Sequence, residues 1–179
     1  MMKTLYLVRH GETLFNIQNK IQGWCDSPLT ENGVAQAKKL GDFFKNISLD
    51  HAYSSTSERC CDTTELILQN RLGYQRVKAL KEQNYGVFEG EPEYLSPKAP
   101  KDFETFFLPY GGESSNEVGQ RMLKCLTKIM AKPDNNQVLA VSHSGACFNF
   151  LRMLQDPTEE LAKGFPNGAI FVYHFDQGK

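Results

Sequence analysis

The sequence predicts an α/β fold, a mainly parallel sheet with helices on both faces. Two short apolar runs of strand length, 3–8 and 138–141, each lead straight into a polar segment that carries a histidine. Between them, segments with apolar residues at helical spacing alternate with further strand-like runs. Sheets of this kind bind ligands beyond the carboxyl ends of their strands, so chemistry is expected there.

Each element has its own signal. Lys3-Thr4-Leu5-Tyr6-Leu7-Val8 reads as a first, buried strand that enters Arg9-His10-Gly11-Glu12-Thr13. Thr30 is placed to cap a helix with apolar residues at 34, 37, 40, 43, 44 and 47. Residues 50–54 predict a second strand, 55–72 a second helix ended by Gly73, and 76–80 a third strand. From 91 to 112 the chain is irregular, with Pro92, Pro97, Pro100, Pro109 and Gly111-Gly112. A stretch this long between regular elements is more often functional than idle, and it is read as a lid-like insertion. Ser114 and Glu117 fit a capping box that opens a helix to about Met130. Residues 138–141 predict a buried strand, 146–155 a helix and 169–173 a last strand. No repeat or linker divides the 179 residues, so 1–179 is read as one domain.

Composition excludes several function classes. Apolar residues make up 40% and charged residues 23% of the chain, and the net charge is −1. There is no basic field for nucleic acid or for a membrane surface. No apolar run approaches the roughly 18–20 residues of a membrane span, and no leader is evident before Arg9. Cytoplasmic location is expected. The cysteines at 25, 60, 61, 125 and 147 show no paired spacing, which suits free thiols in a reducing compartment better than disulfides or zinc. With no HxH or HExxH spacing either, neither metal nor cofactor is expected.

The polar residues at the strand ends suit metal-free phosphoryl transfer. That reaction needs a nucleophile, positive charge on the equatorial oxygens, a proton for the leaving oxygen, and positioning. His10, as neutral imidazole, is the candidate nucleophile. Arg9 and Arg59 are candidates to grip the oxygens through guanidinium forks. His143 is expected to donate to an oxygen in the transition state, and helix starts after Ser55 and at Ser144-Gly145 to add backbone N–H groups. Glu82 is the candidate acid for the leaving alkoxide and then the base for water. Nearby cations would lower its pKa and desolvation would raise it, two opposed effects that sequence leaves open. His51 and His174 lack such a context and read as surface or strand residues. Trp24 reads as a packing residue, and nothing marks Cys25 as a nucleophile.

These residues resemble the histidine phosphatase superfamily, in its cofactor-dependent phosphoglycerate mutase-like branch. The resemblance starts at Arg9-His10-Gly11-Glu12-Thr13 and Asn16 and continues through 22–33 and Gln36-Ala37. It takes in Ser54-Ser55, Arg59 and Thr63, then Glu82, Gly86 and Glu89-Gly90, then Gly112-Glu113-Ser114 and Val141-Ser142-His143-Ser144-Gly145. It implies a three-layer α/β/α sandwich of phosphoglycerate mutase-like type, a phosphohistidine at His10, and no metal. It implies a phosphate pocket at Arg9, His10, Arg59 and His143, with Asn16, Gln22, Gly23 and Ser144 as further contacts, and an acid/base at Glu82. Departures from the family pattern are Ser144 for a common glycine, Thr56-Ser57 for an acidic-leucine pair, and Cys60 and Thr64 for alanines.

Within that family the residues favour hydrolysis over mutase chemistry. A mutase must hold a carboxylated substrate, and members of that type carry an adjacent arginine pair near 91–112. This chain has no arginine between Arg76 and Arg121, only Lys98 and Lys101 among aromatics and acids. The expected substrate is a small phosphomonoester, handled by a monomer or homodimer. The leaving group is open among sugar phosphates, nucleotides, a cobalamin-pathway ribazole phosphate and phosphoproteins. Aromatics at 94, 103, 106, 107 and 110 suit either an apolar leaving group or packing within the lid. A mutase and a non-catalytic phospho-ligand binder are the competing readings.

Overall fold

Leu5, Leu7 and Val8 are fully buried, which a strand achieves only when both faces of its sheet are covered. The computed structural model describes residues 2–176 and puts this strand, β1 (Lys3–Arg9), inside a five-stranded sheet. Its neighbours are β4 (Gln137–Ser142), parallel, and β5 (Ile170–Phe175), antiparallel. Beyond β4 lie β2 (His51–Ser54) and β3 (Tyr74–Arg76), both parallel, in the order β3-β2-β4-β1-β5.

The two-residue repeat of the strands sorts their side chains into two cores. Leu5, Leu7, Val138 and Ala140 join Met122, Leu126 and Phe150 on one face. These last three come from α5 (Ser115–Met130) and α6 (Ser144–Arg152). Val8, Leu139 and Val141 join Leu40, Phe44, Cys60 and Ile67 on the other face, from α2 (Glu31–Phe44) and α3 (Glu58–Leu68). The result is the three-layer arrangement expected.

Register determines where the chemistry gathers. Val8 pairs with Val141 and Arg9 with Ser142, while Ser54 pairs with Val141. The carboxyl ends of β1, β2 and β4 are therefore level. His10 N donates to Ser142 O at 3.1 Å and Ser55 N to Val141 O at 2.9 Å, which holds the segments just past those ends side by side.

Several element boundaries differ from the sequence expectation, each for a local reason. The third strand is only Tyr74–Arg76, and Lys78–Leu80 is a 3-10 turn. Pairing ends where Val77 N donates to Ser54 O, and the turn then carries Glu82 over the sheet end. The α3 helix begins at Glu58, not Ser55, and stops at Leu68. Gln69 and Asn70, with φ of 49° and 62°, make the left-handed reversal expected of Gly73. The single-turn helices α1 (Leu14–Ile17) and α4 (Pro100–Phe103), and α7 (Thr158–Lys163), were not foreseen.

Two glycines let the first loop sit against α2. A Cβ on Gly33 would meet Glu12 O at 2.0 Å, and one on Gly11 would meet Gly33 O at 2.5 Å. Alanine is the better helix former by about 1 kcal/mol, but here it collides with backbone. Gly33→Ala is expected to destabilise the protein by roughly 1–3 kcal/mol. A thermal melt no lower than that of the parent would refute the close-approach argument.

Candidate active site

The carboxyl end of the sheet opens on a cleft of about 400 Å³ whose walls include Arg9, His10, Asn16, Gln22, Glu82, Ser144 and Gly145. His10 is 3% exposed. Its Nδ1 lies 2.7 Å from the carbonyl of Gly11. A carbonyl only accepts, so Nδ1 carries the proton and Nε2 keeps its lone pair. Arg59 Nε donates to that same Nε2 at 3.3 Å, which agrees with this tautomer. Burial first, then the charges of Arg59 and Arg9, hold the His10 pKa well below the ordinary 6.5. The ring is a neutral imidazole with its lone pair on Nε2.

Arg59 is fully buried, and its five N–H donors all have partners. Nη1 donates to Cys25 O at 2.9 Å and Asp26 Oδ1 at 2.8 Å. Nη2 donates to Gly23 O at 2.8 Å and His143 Nδ1 at 2.9 Å. The expectation of an open fork is therefore corrected. The guanidinium locks the 23–26 loop against α3, and only its Nε–H, aimed at the His10 nitrogen, can pass to an oxygen of an arriving phosphoryl group.

His143 also needs correction. Its Nδ1 accepts from Arg59, so its proton is on Nε2, which lies 2.8 Å from Ser55 Oγ. Burial, followed by Arg59 and His10, pushes its pKa well below 6.5. The ring centroid is 5.3 Å from that of His10, but both nitrogens are occupied and His143 is not among the residues lining the cleft. It orients Arg59 behind His10.

The groups with capacity left for an anion are elsewhere. Arg9 donates from Nη1 to Phe165 O, and its buried Nε has no partner. Asn16 uses Oδ1 to accept from Thr13 N at 3.0 Å and Asn167 Nδ2 at 3.1 Å. Its own Nδ2 faces no protein acceptor among the described residues. Ser144 opens α6, so its N–H has no partner within the helix. Gln22 lines the cleft but is held by Thr13 at 2.8 Å and Ser27 at 2.5 Å. Gly23 is a correction too, because its N–H donates to Glu89 Oε2 at 3.0 Å and is not free for phosphate. The start of α3 is likewise filled from within, with Glu58 N donating to Asp26 Oδ2 at 2.5 Å.

Glu82 is 4% exposed. Its two oxygens accept from Gln83 N and Gly145 N, each at 2.8 Å. Desolvation outweighs those bonds and the nearby arginines, so its pKa is raised. Burial is the larger of the two effects that sequence left opposed. The segment before it is pinned by Arg121, which donates to Ala79 O, Lys81 O and Glu82 O and forms two bonds to Glu113 at 2.9 Å.

Other residues support the site, and the sequence reading assigned them no role. Asp26 is the counterion of buried Arg59. Glu89 accepts four backbone N–H bonds, from Gly23, Trp24, Cys25 and Tyr85, and so shapes the loop that receives Arg59. Asn167 ties His10 O to Asn16. A buried arginine signals that some carboxylate must lie nearby, but no spacing says which. Trp24 packs as expected, donating to Glu82 O at 3.0 Å beneath Lys78 and Lys81. Burial pushes the Cys25 thiol up to about 12, so it is no nucleophile. His51 meets Asp134 at 3.0 Å and His174 lies beside Thr4, both away from the cleft.

The 91–112 segment covers the cleft. Its start pairs with the 19–21 loop, through Ile21 N to Glu91 O and Glu93 N to Asn19 O. Its middle is tied to α6 by Glu104 and Arg152 at 2.6 Å. Phe88, Phe106, Phe107 and Tyr110 pack on one another, so most of these aromatics are internal packing, while Phe103 and Tyr85 reach the cleft. Among the described residues no three histidines, cysteines or acids gather as a metal site, and no helix is long and apolar enough to cross a membrane.

Comparison with known proteins places this geometry in context. Residues 5–179 match the family model of the histidine phosphatase superfamily (branch 1). Probable phosphoglycerate mutase GpmB of Yersinia pestis (strain Pestoides F) is 37% identical over 155 residues, which cover 81% of this chain and 71% of that protein. The phosphoglycerate mutase structure from Bacillus anthracis superimposes with a TM-score of 0.84 at 29% identity, over 99% of this chain and 89% of that one. The structure of a phosphoserine phosphatase from Entamoeba histolytica, in complex with 3-phosphoglyceric acid, superimposes with a TM-score of 0.80 at 26% identity, over 94% and 89%.

Proposed function

This chain belongs to the histidine phosphatase superfamily (branch 1), and on that premise we propose that it hydrolyses small phosphomonoesters through a phosphohistidine on His10, without a metal. The family is one of phosphoryl-transfer enzymes, and both mutases and phosphatases stand among the similar proteins. The choice of hydrolysis rests on one observation. Of the residues that line the cleft, Arg9 is the sole arginine and Lys20 the one lysine, and two carboxylates, Glu82 and Glu93, share the lining with them. A substrate carboxylate has no bidentate partner there.

The steps follow from the protonation states. The lone pair on His10 Nε2 attacks phosphorus, and the bond from phosphorus to the ester oxygen breaks. Arg9, Asn16, the Ser144 N–H and the released Arg59 Nε–H meet the equatorial oxygens. Glu82, whose protonated form burial favours, gives its proton to the leaving oxygen. Its carboxylate then takes a proton from water as that water attacks phosphorus. The N–P bond breaks, returning neutral His10 and inorganic phosphate.

These assignments set a pH profile. His10 must be neutral, and its lowered pKa keeps it so well into acid. Glu82 must be protonated, and its raised pKa extends that form upward from 4.5. The rate for an alkyl phosphate is expected to peak on the acid side of neutrality, falling below as His10 protonates and above as Glu82 ionises. Glu82→Gln is expected to lower kcat for an alkyl phosphate by roughly 10²–10⁴-fold. p-Nitrophenyl phosphate, whose leaving group needs no proton, is expected to lose far less. Equal losses on both esters would remove the acid role. Phosphate release from an ester panel that includes 3-phosphoglycerate, with excess chelator present, tests the reading as a whole. Isomerised phosphoglycerate in place of free phosphate would establish the mutase.

A further inference from the structure

Arg121 is not among the residues lining the cleft, yet all five of its N–H groups are engaged. Nη1 donates to Ala79 O at 2.9 Å and Lys81 O at 2.7 Å. Nη2 donates to Glu82 O at 2.8 Å, a carbonyl it shares with Trp24 Nε1. Nε and Nη2 also donate to the two carboxylate oxygens of Glu113, both at 2.9 Å. The side chains of the pair are each 21% exposed. No donor is left for a ligand, so Arg121 acts on the reaction only through what it holds.

What it holds is the backbone that carries the acid. One 3-10 turn ends at Leu80 and the next spans Gly86–Phe88, so Glu82 lies on a stretch with no helix or sheet ladder of its own. Its carbonyls must find partners elsewhere, and Arg121 supplies them from α5. Glu113, just before α5, extends the clamp. Its Oε2 accepts from Asn84 N at 2.8 Å, its N–H donates to Asn84 O at 2.8 Å, and its carbonyl accepts from Gln83 Nε2 at 2.8 Å. The Glu82 carboxyl is tied separately, to Gly145 N at the start of α6. The acid thus spans two anchors, its backbone on α5 and its carboxyl on α6.

We propose that Arg121, paired with Glu113, is the positioning residue of the acid, fixing the backbone of residues 79–84 so that the Glu82 carboxyl stands at the leaving oxygen. This rests on the acid role given to Glu82 above. A displacement of about 1 Å at a reacting group costs about 10²-fold in rate. Charge alone does not replace the fork. A lysine is a point charge with three donors, too few for three carbonyls and a carboxylate.

The test compares ethyl phosphate, whose leaving group needs a proton, with p-nitrophenyl phosphate, whose leaving group does not. Arg121→Lys is expected to lower kcat for ethyl phosphate about 10²-fold, with KM little changed and far less lost on p-nitrophenyl phosphate. Because Arg121 acts through Glu82, adding Arg121→Lys to Glu82→Gln is expected to cost ethyl phosphate almost nothing more. A general loosening of the protein would instead slow both esters alike and multiply the losses in the double variant. Either result, where Glu82→Gln alone spares p-nitrophenyl phosphate, overturns the positioning role and leaves the acid role standing. Where Glu82→Gln alone slows both esters equally, the acid role is lost and this one with it. Glu113→Gln keeps the shape of the clamp and one acceptor, and is expected to show the same split at smaller size. It decides the question if Arg121→Lys fails to fold.

Discussion

His10→Ala is expected to abolish turnover, with a loss of at least about 10⁴-fold in kcat, while the circular dichroism spectrum and melting temperature stay close to the parent's. No second group stands ready to replace it. His143 is close, but its nitrogens are occupied by Arg59 and Ser55. Cys25 is pushed up to about 12 by burial, and burial raises Cys60 as well. The ring bonds the adjacent Gly11 carbonyl and accepts one long bond from Arg59 Nε, at 3.3 Å, so the fold has a small stake in it. The parent protein, mixed with ester and quenched in alkali, should carry one phosphoryl group on the peptide containing residue 10, and the variant none. Turnover retained by the variant would remove the nucleophile assignment. An adduct with no release of phosphate would move the protein toward the mutase or binder readings.

Arg59→Ala is expected to damage both stability and chemistry. The guanidinium is fully buried and is the common donor to Gly23 O, Cys25 O, Asp26, His143 and His10. Removing it leaves Asp26 and two carbonyls without their partner. Breaking a buried pair from one side costs roughly 3–5 kcal/mol, or roughly 6–20 °C in Tm for a domain of this size. Loss of the Nε–H beside the nucleophile is expected to cost a further 10²–10³-fold or so in kcat. Arg59→Lys separates the two effects. It keeps the charge but cannot reach five acceptors, so the loop should loosen while part of the rate survives. A variant as stable as the parent would show that Asp26 and the loop carbonyls find water, and that the arginine is not what holds residues 23–26.

Sequence and structure contribute unequally to this picture. His10 and His143 were legible because a buried apolar run, then polar residues, then glycine is a local pattern. The two cores were legible for the same reason, since strand alternation and helical spacing are read within a few residues. The short third strand was less so, because Val77 and Leu80 look like strand residues until Val77 N bonds Ser54 O and the chain turns. The antiparallel course of β5 was not legible at all, as nothing in residues 170–175 states which neighbour they will meet.

Arg59 and His143 lie beside His10, but their nitrogens are bonded within the protein, which the sequence reading did not foresee. Asp26 and Glu89 fall within the motifs of the family resemblance, but nothing local to them states which partners they meet. They bond to partners across the chain, Asp26 to Arg59 over 33 positions and Glu89 to Gly23 over 66.

Sequence alone determined which chemical groups are present, in what order, and at which strand ends, because those follow from local composition and period. Tertiary structure decided which of their donors and lone pairs are free and which protons they hold. Burial sets the protonation of His10, His143 and Glu82, and burial depends on every residue packed around them. Hydrogen bonds between distant segments occupy Arg59 and Gly23 and leave Arg9 with an open donor. Both are properties of the whole packed molecule, which no stretch of sequence contains by itself.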